Sequence, residues 1–171
     1  MTDEKEKREL HGYEKMLDRV RDFMERTERE SGPRLRKALE QAKERAVELG
    51  ELTRDEAENI AEYVRRDVED AADYTTRTDE DLAGWLRMDL QLVENWIWDR
   101  FSSVADKTRL EWLELENTLA EREFYHTGEI AGPGMLVCDS CGEELHYKKA
   151  GHIPPCPKCA GTRYRRPSPD A

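Results

Sequence analysis

Cys138-Asp139-Ser140-Cys141, then fourteen residues, then Cys156-Pro157-Lys158-Cys159, constrains this chain more than any other stretch. Two cysteines three positions apart turn both sulfurs toward one cation, while the N–H groups between them point at the thiolates. Two such pairs at this separation match the spacing of tetrathiolate zinc sites. The ligand set read from the sequence is therefore Cys138, Cys141, Cys156 and Cys159, holding one zinc ion. Four sulfurs complete a tetrahedron and leave no position open for water, so the metal is expected to be structural.

The flanking residues fit a small β unit. Met135-Leu136-Val137 leads into the first cysteine pair and Glu144-Leu145-His146-Tyr147 leaves it as a strand. Lys148-Lys149-Ala150-Gly151 reads as a turn, and Thr162-Arg163-Tyr164-Arg165 as a strand leaving the second pair. Gly142 and Gly161 are the expected positions for unusual dihedrals in the two turns. A unit of about forty residues with so few apolar side chains needs metal binding to complete its folding. Lys148, Lys158 and the arginines are expected to offset part of the thiolate charge. An iron centre of rubredoxin type is the competing reading for the cysteines, because Cys-Pro-x-Cys pairs occur there too. Disulfides are disfavoured by the expected reducing compartment. A thioredoxin-like redox pair lacks its βαβ context. His146 and His152, between the pairs, and His126, just before them, are not needed as ligands.

Charge divides the chain in two. The whole sequence has a formal charge of -11, but residues 130–171 hold 4 acidic and 6 basic side chains. That stretch also holds all four cysteines and six of the seven prolines. The expected division is an acidic helical domain over 1–128 and a zinc-ribbon domain with a basic tail over 129–171. The acidic body excludes general nucleic-acid binding by the whole surface. No apolar run approaches the ~20 residues of a membrane span. The N-terminus lacks the pattern of a secretion signal, so a cytoplasmic protein is expected.

The first domain reads as four to five helices. Leu10, Tyr13, Leu17, Val20, Met24 and Thr27 repeat at the 3,4 spacing of one helix face, and Ser31-Gly32-Pro33 ends it. Leu35, Leu39, Ala42, Ala46 and Leu49 form a second stripe, closed by Gly50. Thr53 and Glu56 have capping-box spacing before a third stripe of Ala57, Ala61, Val64, Val68 and Ala71. Thr78 with Asp79, Glu80 and Asp81 is expected to open a fourth helix whose apolar face widens through Trp85, Leu86, Leu90, Leu92, Val93, Trp96, Ile97, Trp98 and Phe101. Thr108 to Glu111 repeats the capping-box letters ahead of Trp112, Leu113, Leu115 and Leu119, leaving open whether a fifth helix starts there. The fold class expected is mainly α: an elongated, antiparallel, coiled-coil-like helical region followed by a small C-terminal β zinc ribbon.

Several segments form a distinctive set: Gly50-Glu51-Leu52-Thr53-Arg54 with Val64-Arg65-Arg66-Asp67, Asp106 to Trp112, and Tyr125-His126-Thr127-Gly128-Glu129. Leu136-Val137-Cys138, Cys156 to Cys159 and Arg165-Arg166-Pro167 complete it, over roughly residues 50 to 169. Taken together they resemble the YbeL-like family of bacterial zinc-ribbon proteins. Ala160 departs from the family pattern, which places glycine directly after the last cysteine. The resemblance implies zinc binding and a helical N-terminal region, and no activity.

No catalytic constellation is visible, so the expected function is that of a non-enzymatic scaffold or adaptor. It would meet a protein partner, or a second copy, through helical apolar surface that includes the tryptophans. An alternative is nucleic-acid binding through the ribbon alone, using Arg163-Tyr164-Arg165-Arg166 for phosphates and a stacked base. A second alternative is a zinc/thiol redox sensor built on the same cysteines.

Overall fold

In this computed structural model the described residues are 2–27, 34–78, 81–115 and 124–167; the side chains at positions 2, 77 and 111–115 are outside the description. The expectations for Ser31-Gly32-Pro33, Asp79, Glu80 and Leu119, and for the side chains of Trp112, Leu113 and Leu115, fall outside it. Helix α1 spans Thr2–Arg26, α2 Arg34–Glu48 and α3 Arg54–Arg77. The stripes read from the sequence are the faces they bury. Tyr13, Met16, Leu17, Val20, Phe23 and Met24 turn inward from α1, Leu35, Leu39, Ala42 and Ala46 from α2. From α3 come Ala57, Ala61, Val64, Val68 and Ala71. Each large apolar side chain so buried is worth about 1.5–3 kcal/mol relative to exposure. Leu49 ends the second stripe and is exposed, because α2 has already stopped.

The start of α3 is built as its sequence indicates. The Thr53 hydroxyl accepts from the Glu56 N–H at 3.2 Å, and the Glu56 carboxylate accepts from the Thr53 N–H at 3.4 Å. Two backbone donors without helical partners are thereby satisfied.

The next segment differs from expectation. Thr78 caps the end of α3, and the N-cap of the next helix is Asp81, which accepts from the Gly84 N–H. That helix, α4, is only Leu82–Leu86, because Arg87 takes a left-handed φ of 57° and stops it. A 3-10 turn over Leu90–Leu92 follows, and α5 then runs unbroken over Asn95–Leu115. The wide apolar face is thus folded at a bend, where one helix was expected. Thr108 opens no helix: it is buried inside α5, its hydroxyl donating to the Val104 carbonyl at 2.8 Å.

α1 and α3 touch each other, and each touches both α2 and α5. Short α4 lies against α3 and reaches the sheet. Its Trp85 stacks on Phe101 of α5, with ring centroids 5.3 Å apart, and is buried. Among the described helices none is long and apolar enough to cross a membrane.

The strands are β1 Tyr125–His126, β2 Ile130–Ala131, β3 Gly134–Cys138, β4 Glu144–Tyr147, β5 Gly151–His152 and β6 Arg163–Arg165. Four form an antiparallel sheet in the order β1-β6-β3-β4, and β2 pairs with β5. The sheet begins at Tyr125, a few residues ahead of the compositional change at 128/129. Its register pairs Cys138 of β3 with Tyr164 of β6, and Tyr164 in turn with Tyr125 of β1. The ribbon core is small: Tyr125, Ala131, Leu136, Cys138, Ile153, Cys156 and Tyr164. The mainly α class with a small C-terminal β unit is as the sequence indicates.

Candidate metal centre

The two cysteine pairs sit on turns of identical construction. In the first, the Cys138 N–H donates to the Glu143 carbonyl at 2.8 Å, and the Cys138 carbonyl accepts from Gly142 at 2.9 Å. In the second, the Cys156 N–H donates to the Gly161 carbonyl at 2.8 Å, and the Cys156 carbonyl accepts from Ala160 at 2.8 Å. The offsets are the same, five and four residues, so the second turn repeats the first. Gly142 reaches its place with φ of 81° and Ala160 with φ of 62°. The left-handed residue of the second turn is therefore Ala160, not Gly161 as expected. Gly161 serves space instead: a Cβ there would stand 3.2 Å from the Cys159 sulfur and 3.3 Å from that of Cys138.

These turns bring the four sulfurs together. All four Sγ atoms lie within 4.8 Å of one another, and the Cys138–Cys159 and Cys141–Cys156 pairs are each 3.6 Å apart. A tetrahedron with metal–sulfur bonds of about 2.3 Å has edges of about 3.8 Å, so the donor set fits zinc. Backbone N–H groups aim at the sulfurs, Lys158 toward Cys156 at 3.4 Å. Those of Cys141 and Ser140 hold the Cys138 thiol down at about 7. The Glu143 N–H also lowers Cys141, but burial and hydrogen bonds from the other sulfurs outweigh it and push that thiol up to about 12. Four thiolates this close repel one another, and a divalent cation held by the four sulfurs would supply the missing counter-charge. Burial, followed by the charge of Cys156 and Cys138, raises the Tyr164 phenol to about 12. Cys138 and Cys156 are buried, while Cys159 is exposed and opens one flank to solvent.

The histidines lie apart from this cluster. His126 and His146 are exposed, each 3.5 Å from a neighbouring carboxylate, of Glu129 and Glu144. His152 meets Glu9 of α1 at 3.2 Å. The basic residues expected to balance the thiolates are partly engaged elsewhere. Arg163 pairs with Asp139 and lies over the Phe124 ring, and Arg166 turns its guanidinium to Asp67 of α3.

Arg166 marks a second feature that the sequence reading missed, a buried polar seam between ribbon and helices. Its guanidinium donates to Asp67 at 2.7 Å, the Tyr125 hydroxyl at 3.2 Å and the carbonyls of Gly132 and Met135, with its charge over the Trp85 ring. Asp67, fully buried in α3, also accepts from the Tyr13 hydroxyl at 2.5 Å, the Tyr125 hydroxyl at 2.9 Å and the Gly132 N–H at 2.8 Å. Burial acts against the Arg166 charge, but Tyr125 and Asp67 more than restore it and hold its pKa above the ordinary value. Beside it, Arg66 donates to Glu129 at 2.8 Å and lies 3.7 Å above the centre of the Tyr125 ring. One signal for this seam was present in the sequence. Asp67 stands three residues after Val64 and next to Val68, on the apolar face of α3, where a carboxylate must find partners.

Comparison with known proteins agrees with this geometry. A family model described as a zinc-ribbon containing domain matches residues 7–168. The uncharacterized protein YbeL of Escherichia coli K12 is 30% identical over 128 residues, covering 75% of this chain and 79% of the relative. YbeL from the O6:H1 and O157:H7 strains matches to the same extent. No solved structure matches the chain.

Proposed function

The chain belongs to the zinc-ribbon containing domain family, and from that premise we propose that Cys138, Cys141, Cys156 and Cys159 hold one structural zinc ion in a non-enzymatic interaction protein. The observation that carries the metal reading is the cluster of four sulfurs within 4.8 Å on two matching turns. Zinc suits it better than iron on the family's description. The four thiolates fill the coordination sphere, which leaves the ion a folding role and no position for substrate.

The interaction role rests on the bend after α4. Leu90, Leu92 and Trp96 are exposed there, and the Glu94 N–H donates to the Lys148 carbonyl, so helix and ribbon turn form one surface. A protein partner or a second copy would meet that surface, in a reducing compartment such as the cytoplasm. Nucleic-acid binding is the weaker reading. Tyr164 is fully buried and has no open face for a base, and Arg166 is committed to Asp67.

Affinity purification of the full chain from its native cell, with metal analysis of the same sample, tests both parts. The expected result is one zinc per chain and a protein partner lost when Leu92 and Trp96 are replaced by glutamate. Recovery of iron, or of no specific partner, contradicts the corresponding part.

A further inference from the structure

We propose that Arg166 is a latch through which metal loading of the cysteine cluster sets how firmly the ribbon is held on the helical bundle. The inference rests on the cysteines binding zinc and concerns what that binding does elsewhere in the chain. The connection is short and continuous. Cys138 pairs directly with Tyr164 across β3 and β6, and Arg166 follows two residues later. Tyr164 packs with Cys138 and Cys156 in the ribbon core, and its hydroxyl donates to the Pro154 carbonyl at 2.8 Å, two residues before Cys156. The same Tyr164 pairs with Tyr125, the second ribbon side chain delivered to Asp67. Both groups that the sheet presents to Asp67 therefore depend on a register fixed by the two sulfur turns.

Two of the seven residues in the ribbon core are the cysteines Cys138 and Cys156. Removing the metal leaves crowded sulfurs inside a core too small to hold the register unaided. Tyr164 then loosens, and Arg166 and Tyr125 withdraw from Asp67. Withdrawal uncovers Asp67 and the Trp85 face that the guanidinium covers. Coupling of this kind is reciprocal: what metal does for the seam, the seam does for metal affinity.

The test compares the full chain loaded with zinc and stripped with EDTA, by hydrogen exchange. Stripping is expected to speed exchange around Asp67 and Gly132 by at least about tenfold, with a smaller change in α2, which packs chiefly on α1 and α3. In Arg166→Lys, and separately in Asp67→Asn, zinc affinity measured against a competing chelator is expected to fall by about five- to tenfold. Zinc loss with unchanged exchange around Asp67 overturns the latch and leaves the metal site standing. So does unchanged zinc affinity in whichever of the two variants folds. A chain that takes up no zinc overturns the latch and the metal reading together.

Discussion

Arg166 stands 99 positions from Asp67 in sequence and 2.7 Å from it in the fold, with both side chains almost wholly out of solvent. Burying two charges is costly, and the attraction between them offsets that cost only where every remaining donor and acceptor is occupied. Here most are. Asp67 accepts from two tyrosines and a backbone N–H besides the arginine, and Arg166 donates to two carbonyls and a hydroxyl. A seam of this kind is expected to orient the ribbon on the helices more than to add net stability.

Breaking one half of that pair is therefore predicted to cost far more than removing both. Arg166→Met leaves a buried, uncompensated carboxylate and should destabilise the folded chain by about 3–5 kcal/mol. The double variant Asp67→Leu with Arg166→Met should lose clearly less than the sum of the two single changes. Urea unfolding of the zinc-loaded proteins measures both, and additive losses would show that the two residues do not act as a unit.

Gly132 is the point where the backbone comes closest to the seam. A Cβ there would stand 2.5 Å from the Tyr13 hydroxyl and 3.2 Å from an Asp67 oxygen. Gly132→Ala should cost about 1–3 kcal/mol, since either the tyrosine or the chain must move. The same unfolding measurement checks this, and a neutral result would place Tyr13 elsewhere than beside Asp67.

Ala160 holds a left-handed φ of 62° where the matching turn has Gly142. Ala160→Gly relieves that strain, less the added freedom of the unfolded chain. A gain of about 0.5–1 kcal/mol is expected. A rise in thermal midpoint with unchanged zinc stoichiometry would agree; a fall would mean that the methyl group supports the turn.

Acid should reveal Glu51. Hydrogen bonds from Arg19, at 2.7 and 2.8 Å, and from Lys15 hold its carboxyl below the ordinary value. A depressed folded pKa contributes stability that is present above the unfolded value of about 4.3 and lost as pH falls through the folded one. The wild type should thus lose more stability than Glu51→Gln on going from pH 6 to pH 3. Parallel acid profiles for the two proteins would remove Glu51 from the account.

The parts of this structure written in local pattern were legible in advance. The cysteine pairs, the Thr53–Glu56 box and the stripes of α1 to α3 depend only on neighbours three or four residues away, and they are found in place except at stripe ends such as Leu49. The stretch after α3 was misread because apolar content does not reveal a stop. Arg87, with neither glycine nor proline beside it, turns left-handed and splits the expected helix. Thr108 resolves a point that the capping letters leave open: inside an established helix its hydroxyl bonds back to the preceding turn. The basic tail was the deepest difference. Arg163, Tyr164, Arg165 and Arg166 look like one solvated strip in sequence, but strand alternation and the length of the arginine side chain bury Tyr164 and Arg166. Nothing local distinguishes Arg166, because its partner belongs to a helix made a hundred residues earlier.

The most direct test of the central claim is X-ray absorption at the zinc edge on the purified full chain, together with the metal content of the same sample. Four sulfur neighbours at about 2.3 Å, with one zinc per chain, is the predicted result. Nitrogen or oxygen neighbours in the first shell, or a chain free of metal with all four thiols open to alkylation in the folded state, would contradict it.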